Sequence, residues 1–304
     1  MSSSSRQRIF GRKARISLLG FGAAVLAVYL ALVWAGGGWS PRHDKGFAWE
    51  SGSVLLFAHR GVPGRAPENS EAAFDDACRL GFPGIELDIR KTKDHQLALF
   101  HDRTARTMLG LNTNFSDLSL AEIKEHGLLL GGKETTNRVP TLREVFAKYG
   151  HTFLFYLDMK EKGFRDADQL VRLIQEYGLE ERTVVASVDP LFMAYVEHYY
   201  PRINTVLERF DAAQVWLYRL FPRRWKPDFL AGLARKTSPG HVEWLKNNQL
   251  LSQRIVYDVT KANYQEVRQL GITKAVVDYA PDVYGAALSP PVSQPTPEAA
   301  RALP

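Results

Sequence analysis

Short apolar runs alternate with amphipathic helical patterns from residue 53 onward, which restricts the chain to folds built around a parallel sheet. The predicted strands are Val54–Ala58, Gly84–Arg90, Gln96–Phe100, Phe153–Met159, Thr183–Ser187, Arg202–Leu207, Arg254–Val259 and Lys274–Val277. Because the strand count approaches eight, the pattern favours an α/β fold of the TIM (β/α)8 barrel type over an open doubly wound sheet. The sequence contains no Gly-x-Gly-x-x-Gly loop, which counts against a dinucleotide-binding sheet.

Capping side chains predict where several helices begin. Ser119 precedes Glu122 by three residues, a spacing typical of a capping box, and Thr141 precedes Glu144 in the same way. Another helix is predicted over Asn69–Leu80, with Asn69 or Ser70 as its cap and Asn69 the preferred of the two. Residues 209–240 mix aromatic side chains with arginines and carry no predicted strand. We interpret them as a late helix and loop of the barrel, or alternatively as a lid or membrane-leaning surface.

An apolar segment, residues 16–34, contains no charged residue and is long enough to span a bilayer as a helix. Five basic residues precede it, so the positive-inside rule predicts a cytoplasmic N-terminus and places the rest of the chain on the opposite side. A bacterial inner membrane with the barrel in the periplasm fits this best. A cleaved signal peptide and a buried core helix are the alternatives.

The domain organisation predicted from these patterns has five parts. A basic cytoplasmic arm covers 1–15, a transmembrane anchor 16–35, a linker 36–52, the barrel 53–285 and a disordered tail 286–304.

Charge and cysteine content exclude several classes of function. The formal charge of +6 is concentrated in the first fifteen residues, and the rest of the chain is close to neutral. No basic patch with interleaved aromatic residues lies on a recognisable nucleic-acid module, so nucleic acid is not expected as a partner. Cys78 is the only cysteine, which excludes an internal disulfide and a thiolate metal cluster. Its spacing from neighbouring apolar residues predicts a buried structural thiol.

Three acidic residues on two predicted strands suggest a metal site. Glu86 and Asp88 are two residues apart, so both carboxylates point to the same face of their strand. Burying two acids there is costly unless a cation compensates them, although a solvated edge strand is the alternative. Asp158 and Lys160 repeat the spacing at the end of a later strand, where Asp158 could complete a three-carboxylate shell. An all-oxygen ligand set suits Mg²⁺ or Ca²⁺ rather than zinc.

Two histidines follow directly after predicted strands, at the end of a barrel that carries active sites. His59 and His101 are therefore candidates for a general acid and base pair. Arg60 offers a planar fork for phosphate oxygens, and Lys160 could neutralise another. Glu68, in the loop before the next helix, is a weaker candidate for contacts to the substrate or cation.

These motifs resemble those of the glycerophosphodiester phosphodiesterase family. The resemblance covers residues 54–281 and rests on the order of His-Arg-Gly, Pro-Glu-Asn, Glu-x-Asp, Thr-Lys-Asp and His-Asp. It implies a TIM barrel and a divalent cation, with His59 and His101 as the acid/base pair and Glu86 and Asp88 as metal ligands. The third ligand of the family is usually a glutamate, where this chain has the shorter Asp158. A second departure is a Tyr-Asp pair at 257–258, where Trp-Thr is frequent.

The function implied by the resemblance is metal-dependent hydrolysis of glycerophosphodiesters to an alcohol and glycerol 3-phosphate. A lysophospholipase D acting on membrane lysolipids is the first alternative, and a catalytically inactive membrane-tethered binding protein is the second. The expected partners are therefore a small glycerophosphodiester or lysolipid and, through the N-terminal segment, a membrane. The sequence leaves the oligomeric state, the head group and the choice of cation open.

Overall fold

A computed structural model describes residues 3–35, 45–49, 54–62, 64–212, 218 and 221–278. Within the first helix, side chains are described for residues 17–32 and 34. The predicted tail, 286–304, lies outside the described residues, as does most of the predicted linker.

Eight parallel strands close into a barrel, which confirms the predicted fold class. The strands are β1 Leu55–His59, β2 Gly84–Lys91, β3 Leu97–Leu99, β4 Leu129–Leu130, β5 Lys133–Glu134, β6 Leu154–Met159, β7 Thr183–Ser187, β8 Asn204–Leu207, β9 Phe229–Leu233, β10 Arg254–Val259 and β11 Lys274–Val277. The short strands β3, β4 and β5 lie outside the barrel. Around the barrel the order is β1, β2, β6, β7, β8, β9, β10 and β11, and β11 pairs again with β1.

One predicted strand lies outside the barrel and one barrel strand was not predicted, so the predicted number of strands is still correct. The predicted strand at 96–100 is not part of the barrel, because β3 runs antiparallel to β2 and returns along its outer end. The missing barrel strand is β9, which pairs with β8 and β10. Gly232 in β9 admits no side chain, since a Cβ there would lie 2.5 Å from the carbonyl oxygen of Phe210. A short run interrupted by glycine carries a weak strand signal.

The α-helices of the described chain mostly follow barrel strands, as expected for repeated βα units. They are α1 Ser3–Ala35, α2 Glu71–Arg79, α3 Arg106–Leu109, α4 Leu120–Glu125, α5 Leu142–Tyr149, α6 Phe164–Glu176, α7 Pro190–Tyr199, α8 Pro239–Asn247 and α9 Tyr264–Gln269. Both predicted capping boxes form, at Ser119 with Glu122 and at Thr141 with Glu144. The cap of α2 is Ser70 rather than Asn69.

Apolar side chains fill two layers, one inside the barrel and one between strands and helices. The inner layer includes Phe57, Tyr156 and Ile255, and the outer layer includes Ile85, Leu87 and Ile89 of β2. Cys78 does not belong to either layer, and the prediction that it is buried was wrong, because this thiol is exposed. It lies next to buried Ala77 on α2, one position away from the face that packs on the barrel.

The described side chains of α1 are mostly exposed, including large apolar ones such as Leu19 and Phe21. Among the residues that the structure describes, no helix has both the length and the hydropathy needed to cross a membrane.

Residues 45–49 close the end of the barrel where the strands begin. The Lys45 ammonium donates to Glu197 and Asp228 at 2.7 Å each and to the carbonyl oxygen of Ile203 at 2.8 Å. The ring of Phe47 packs on Phe229, the first residue of β9, with centroids 5.6 Å apart. We call Lys45, Glu197 and Asp228 the closing cluster.

Candidate active site

The carboxyl ends of β2 and β6 bring three carboxylates together. The two strands are parallel neighbours, and their register places Asp88 opposite Asp158. Glu86 lies two residues before Asp88 on the same face, as predicted. Oxygen atoms of Glu86, Asp88 and Asp158 all lie within 4.8 Å of one another. All three residues are at least nine-tenths buried, so their charges are shielded little by water.

Two cations partly neutralise this acidic cluster. Lys160 Nζ lies 2.7 Å from Asp88 Oδ1 and also pairs with Asp158. Arg60 Nε lies 2.9 Å from Asp88 Oδ2. Asp88 therefore lies between both predicted phosphate-binding side chains, while Glu86 and Asp158 are less well compensated.

Arg60 is fixed by its backbone as well as by its side chain. Its φ of 52° lies in the left-handed region, and its backbone N–H donates to Glu86 Oε2 at 3.1 Å. Arg60 Nη1 donates to both oxygens of Glu68, at 3.0 and 2.9 Å. Glu68 thus positions the arginine. Sequence reasoning missed the role of Asn69, whose amide donates to Asp88 Oδ2 at 2.9 Å and so orients that carboxylate.

Burial and charge separate the proton affinities of the three acids. Burial, reinforced by the negative charge of Asp88, raises the pKa of Glu86 to about 8. Burial also raises the pKa of Asp158, despite the nearby ammonium of Lys160. Burial acts on Asp88 in the same sense, but Lys160 and Arg60 outweigh it and hold its pKa below the usual range. Without a further cation, Glu86 therefore retains its proton at neutral pH.

The acidic cluster has the composition and spacing that a hard divalent cation needs. Its donors are carboxylate oxygens, which suit Mg²⁺ or Ca²⁺, and they converge from adjacent strands. The raised pKa values of Glu86 and Asp158 indicate a shortage of positive charge at this point. The residues present can therefore hold such an ion.

His59, at the end of β1, lies beside the cluster. Its Nδ1 atom donates to Asp278, and its Nε2 atom lies 3.8 Å from Glu86 Oε2. Burial lowers the pKa of His59, but the hydrogen bond to Asp278 and the charge of Glu86 outweigh it and raise the pKa above its usual value. Asp278 therefore sets the tautomer and basicity of this histidine.

His101 reaches the same cavity by a different route from the one predicted. It follows β3, which is antiparallel to the barrel strands, so the β2–β3 hairpin carries it back over the site. Its Nδ1 atom lies 2.8 Å from Asp102 Oδ1, and Arg90 Nε donates to its carbonyl oxygen at 2.9 Å. Each histidine thus pairs through Nδ1 with an aspartate, leaving Nε2 for proton transfer.

A cavity of about 360 Å³ unites these groups at the carboxyl ends of the barrel strands. It is lined by seven of the eight predicted site residues: His59, Arg60, Glu86, Asp88, His101, Asp158 and Lys160. Glu68 is not among its lining residues and acts through Arg60.

The opposite wall of the cavity was largely missed from the sequence. It is formed by Glu208, Arg209, Leu233, Arg235, Tyr257, Asp258 and Val276, together with Tyr156 from β6. Glu208 directly follows β8. A position directly after a predicted strand is the signal that identified His59, and the same signal could have identified Glu208. Arg235 could not be found in this way because its strand, β9, had not been predicted.

A closed barrel with a histidine–carboxylate cavity at the carboxyl ends of its strands defines a (β/α)8 protein suited to phosphoester chemistry. Comparison with known proteins specifies the family. The sequence profile of the glycerophosphoryl diester phosphodiesterase family matches residues 59–294, and the chain belongs to this family.

Characterised relatives share part of the chain. A glycerophosphodiester phosphodiesterase from Caldanaerobacter subterraneus is 36% identical over 159 residues, which is 50% of this chain and 65% of the relative. A human lysophospholipase D is 32% identical over 137 residues, 42% of this chain and 43% of the relative. The match thus spans less than two thirds of each of these relatives.

Solved structures share the fold. A phosphodiesterase from Oleispira antarctica, solved in complex with the product sn-glycerol 3-phosphate, has a TM-score of 0.67 and 20% identity; the match covers 77% of this chain and 97% of that one. A glycerophosphoryl diester phosphodiesterase from Parabacteroides distasonis has a TM-score of 0.65 at 20% identity, covering 89% and 95%. At this level of identity the similarity concerns the barrel alone.

Proposed function

We propose that this protein hydrolyses glycerophosphodiesters to an alcohol and glycerol 3-phosphate, with a divalent cation, Ca²⁺ or Mg²⁺, bound by Glu86, Asp88 and Asp158. The observation that carries the proposal is the convergence of these three acids, within 4.8 Å of one another, in the cavity that also receives His59 and His101. Family membership and the relative from Caldanaerobacter support the substrate class.

The side chains of the site divide the work between binding and proton transfer. Arg60 and Lys160 bind the phosphate oxygens and offset the charge that develops on them during the reaction. Asp278 and Asp102 hold His59 and His101 with Nε2 directed to the substrate. One imidazole removes a proton from the nucleophile, which is water or the adjacent glycerol hydroxyl, and the other protonates the leaving alcohol. When the glycerol hydroxyl attacks, a water molecule then opens the resulting cyclic phosphate to give glycerol 3-phosphate. A bound divalent cation supplies Lewis acidity at the phosphoryl group.

Replacing the two histidines separately tests the proton-transfer assignment. His59→Ala and His101→Ala are each expected to lower kcat on glycerophosphocholine by about 10²- to 10⁴-fold, the usual contribution of general acid–base catalysis. His151→Ala is the matched control. This histidine is exposed, and Arg182 donates to its backbone carbonyl oxygen, which the substitution leaves in place. Activity that survives both active-site replacements would reject the assignment.

Removing the cation tests whether the chain is a metal-dependent enzyme or the catalytically inactive binding protein that the sequence left as an alternative. EDTA is expected to abolish hydrolysis, and Ca²⁺ or Mg²⁺ to restore it. Hydrolysis that is indifferent to EDTA would refute the metal site.

A lysophospholipase D is the second candidate, because a human enzyme of that name is among the relatives and the apolar segment 16–34 would keep the protein at lipid. Turnover of lysophosphatidylcholine and of glycerophosphocholine by the same preparation decides between them. We expect the water-soluble diester to be the better substrate, because the far wall of the cavity is mainly polar and charged.

We also propose that residues 16–34 anchor the chain in a membrane, with the N-terminus cytoplasmic and the barrel on the other side. The uncharged apolar sequence, the basic residues before it and the exposure of side chains such as Leu19 and Phe21 support this. Sedimentation of the full chain with membranes, resistant to high salt, tests it. Release by salt would contradict it.

A further inference from the structure

Glu208 is a charged residue of the cavity to which the proposed reaction gives no task. It directly follows β8 and lines the cavity on the side away from His59 and His101. It lies near enough to Asp158 and Lys160 for their charges to act on it. Its backbone N–H donates to the carbonyl oxygen of Ser187 at 3.0 Å, which fixes the turn that presents it.

A buried tyrosine holds the Glu208 carboxylate from inside the barrel. Tyr156 Oη donates to Glu208 Oε1 at 2.8 Å, and the Tyr156 ring packs in the inner apolar layer, edge-on to Phe57 with centroids 5.6 Å apart. Because Tyr156 is 1% exposed, it can neither move away nor exchange this bond for water. The bond engages Oε1, so Oε2 is the oxygen that can accept from a molecule in the cavity.

The charge of Glu208 determines which part of a substrate it can bind. A carboxylate repels a phosphate group, so it cannot share the oxygens that Arg60 and Lys160 bind. It readily accepts hydrogen bonds from hydroxyl groups, and bonds to charged acceptors are stronger than neutral ones. Phosphate and hydroxyl groups of a substrate are thus bound by different side chains of one cavity.

The depth of Glu208 in the cavity indicates which of the two alcohols of the diester it contacts. Glu208 lies above the inner layer, whereas Arg235 and Asp258 form an exposed ion pair, 3.0 Å apart, at the rim. We therefore place the small polyol at the floor, next to Glu208, and the leaving alcohol, which differs between substrates, towards the rim.

We propose that Glu208, held by Tyr156, binds a hydroxyl of the glycerol moiety and makes the site selective for glycerol-bearing phosphodiesters. This inference rests on the proposed function and deepens it. A site built around such a bond discriminates against ligands that lack the hydroxyl, because Glu208 is then left unpaired.

Binding of two small anions to the metal-loaded full chain tests the proposal without turnover. Isothermal titration should show that Glu208→Gln weakens sn-glycerol 3-phosphate about tenfold or more, as expected for a lost bond to a charged acceptor. Inorganic phosphate should bind within about threefold of wild type, because it does not reach this wall. Tyr156→Phe should weaken glycerol 3-phosphate in the same sense but less. Glu176→Gln, the same change at an exposed helix position, is the control and should alter neither affinity.

The outcomes separate this inference from the proposed function. Equal weakening of both anions by Glu208→Gln would mean that Glu208 only shapes the site, and no weakening of either would mean that it does not bind substrate; both results overturn the inference. A wild-type chain that binds neither anion and does not hydrolyse glycerophosphocholine would overturn the proposed function together with the inference. Thermal unfolding of each variant shows whether it is folded.

Discussion

The two ends of the barrel each bury acidic side chains around a lysine, and they use this chemistry for different purposes. At the carboxyl end, Asp88 and Asp158 pair with Lys160. At the amino end, Glu197 and Asp228 pair with Lys45 in the closing cluster.

Access to a cavity distinguishes the two clusters. In the closing cluster the Lys45 ammonium uses all three donors, and Thr205 donates to Asp228 from its backbone, at 2.9 Å, and to Glu197 from its hydroxyl. At the catalytic end a third acid, Glu86, adds charge, and all the groups open into a cavity. A buried cluster built around a fully hydrogen-bonded lysine stabilises the fold, whereas one that faces a cavity can bind a ligand.

The largest expected effect is on catalysis, from a change at the end of the barrel that carries the cavity. Glu86→Gln removes one metal ligand and should lower kcat/KM on glycerophosphocholine by about 10³-fold or more, equivalent to roughly 4 kcal/mol. Stability without metal should not fall, because the substitution also removes repulsion between buried acids. Steady-state kinetics and thermal unfolding measure both. A variant that is both active and destabilised would break the distinction.

The converse change, in the closing cluster, should affect stability instead. Lys45→Met leaves Glu197 and Asp228 buried without their cation, and breaking a buried pair from one side costs about 3–5 kcal/mol. Urea unfolding of the full chain should show this loss, while kcat at low temperature stays close to wild type. Equal loss of activity and stability would show that the two ends are coupled.

The pH dependence of stability should identify the closing cluster separately. Burial, together with the charge of Asp228, raises the pKa of Glu197 from 4.5 to about 8. A carboxyl whose pKa is raised on folding binds its proton more tightly in the folded state, so its contribution to stability is full below pH 4.5 and is lost as the pH rises to about 8. Glu197→Gln should flatten the unfolding free energy across this window. An unchanged slope would contradict the assignment.

The smallest expected effect comes from restoring the glutamate usual at the third ligand position. Asp158 already lies within reach of Glu86 and Asp88, so it needs no longer side chain. Asp158→Glu crowds a site that is only 8% exposed, and we expect the affinity for Ca²⁺ or Mg²⁺ to fall by only a few fold. Metal titration measures this change. A large gain in affinity would mean that the aspartate is too short for its position.

Features that depend on neighbouring residues in the chain could be predicted, and those that depend on distant ones could not. Capping at Ser119 and Thr141 is a contact over three residues, and the shared face of Glu86 and Asp88 follows from strand alternation. β9 was missed because Gly232 is required by Phe210 and Arg254, both more than twenty positions away in the chain.

The same limit applies within the site. Both histidines were identified because each directly follows a predicted strand. The strand before His101, however, is the second strand of a hairpin with β2, and its sequence looks like that of a barrel strand. The partnership of His59 with Asp278 joins the two ends of the barrel sequence and is visible only after closure. Asn69 was assigned to a helix cap because its link to Asp88 crosses nineteen positions.

The contacts of residues 45–49 determine at which end the chain enters the barrel. Lys45, Phe47 and Ala48 contact residues at or just before the starts of β7, β8 and β9, so the chain enters at the end opposite the cavity mouth. Nine residues separate α1 from Lys45, and the ten Cα–Cα steps between Ala35 and Lys45 reach at most about 36 Å when fully extended. Under the anchoring proposed above, the barrel is tethered by the end that carries no catalytic group, which leaves the mouth free to take up solutes from the surrounding solution.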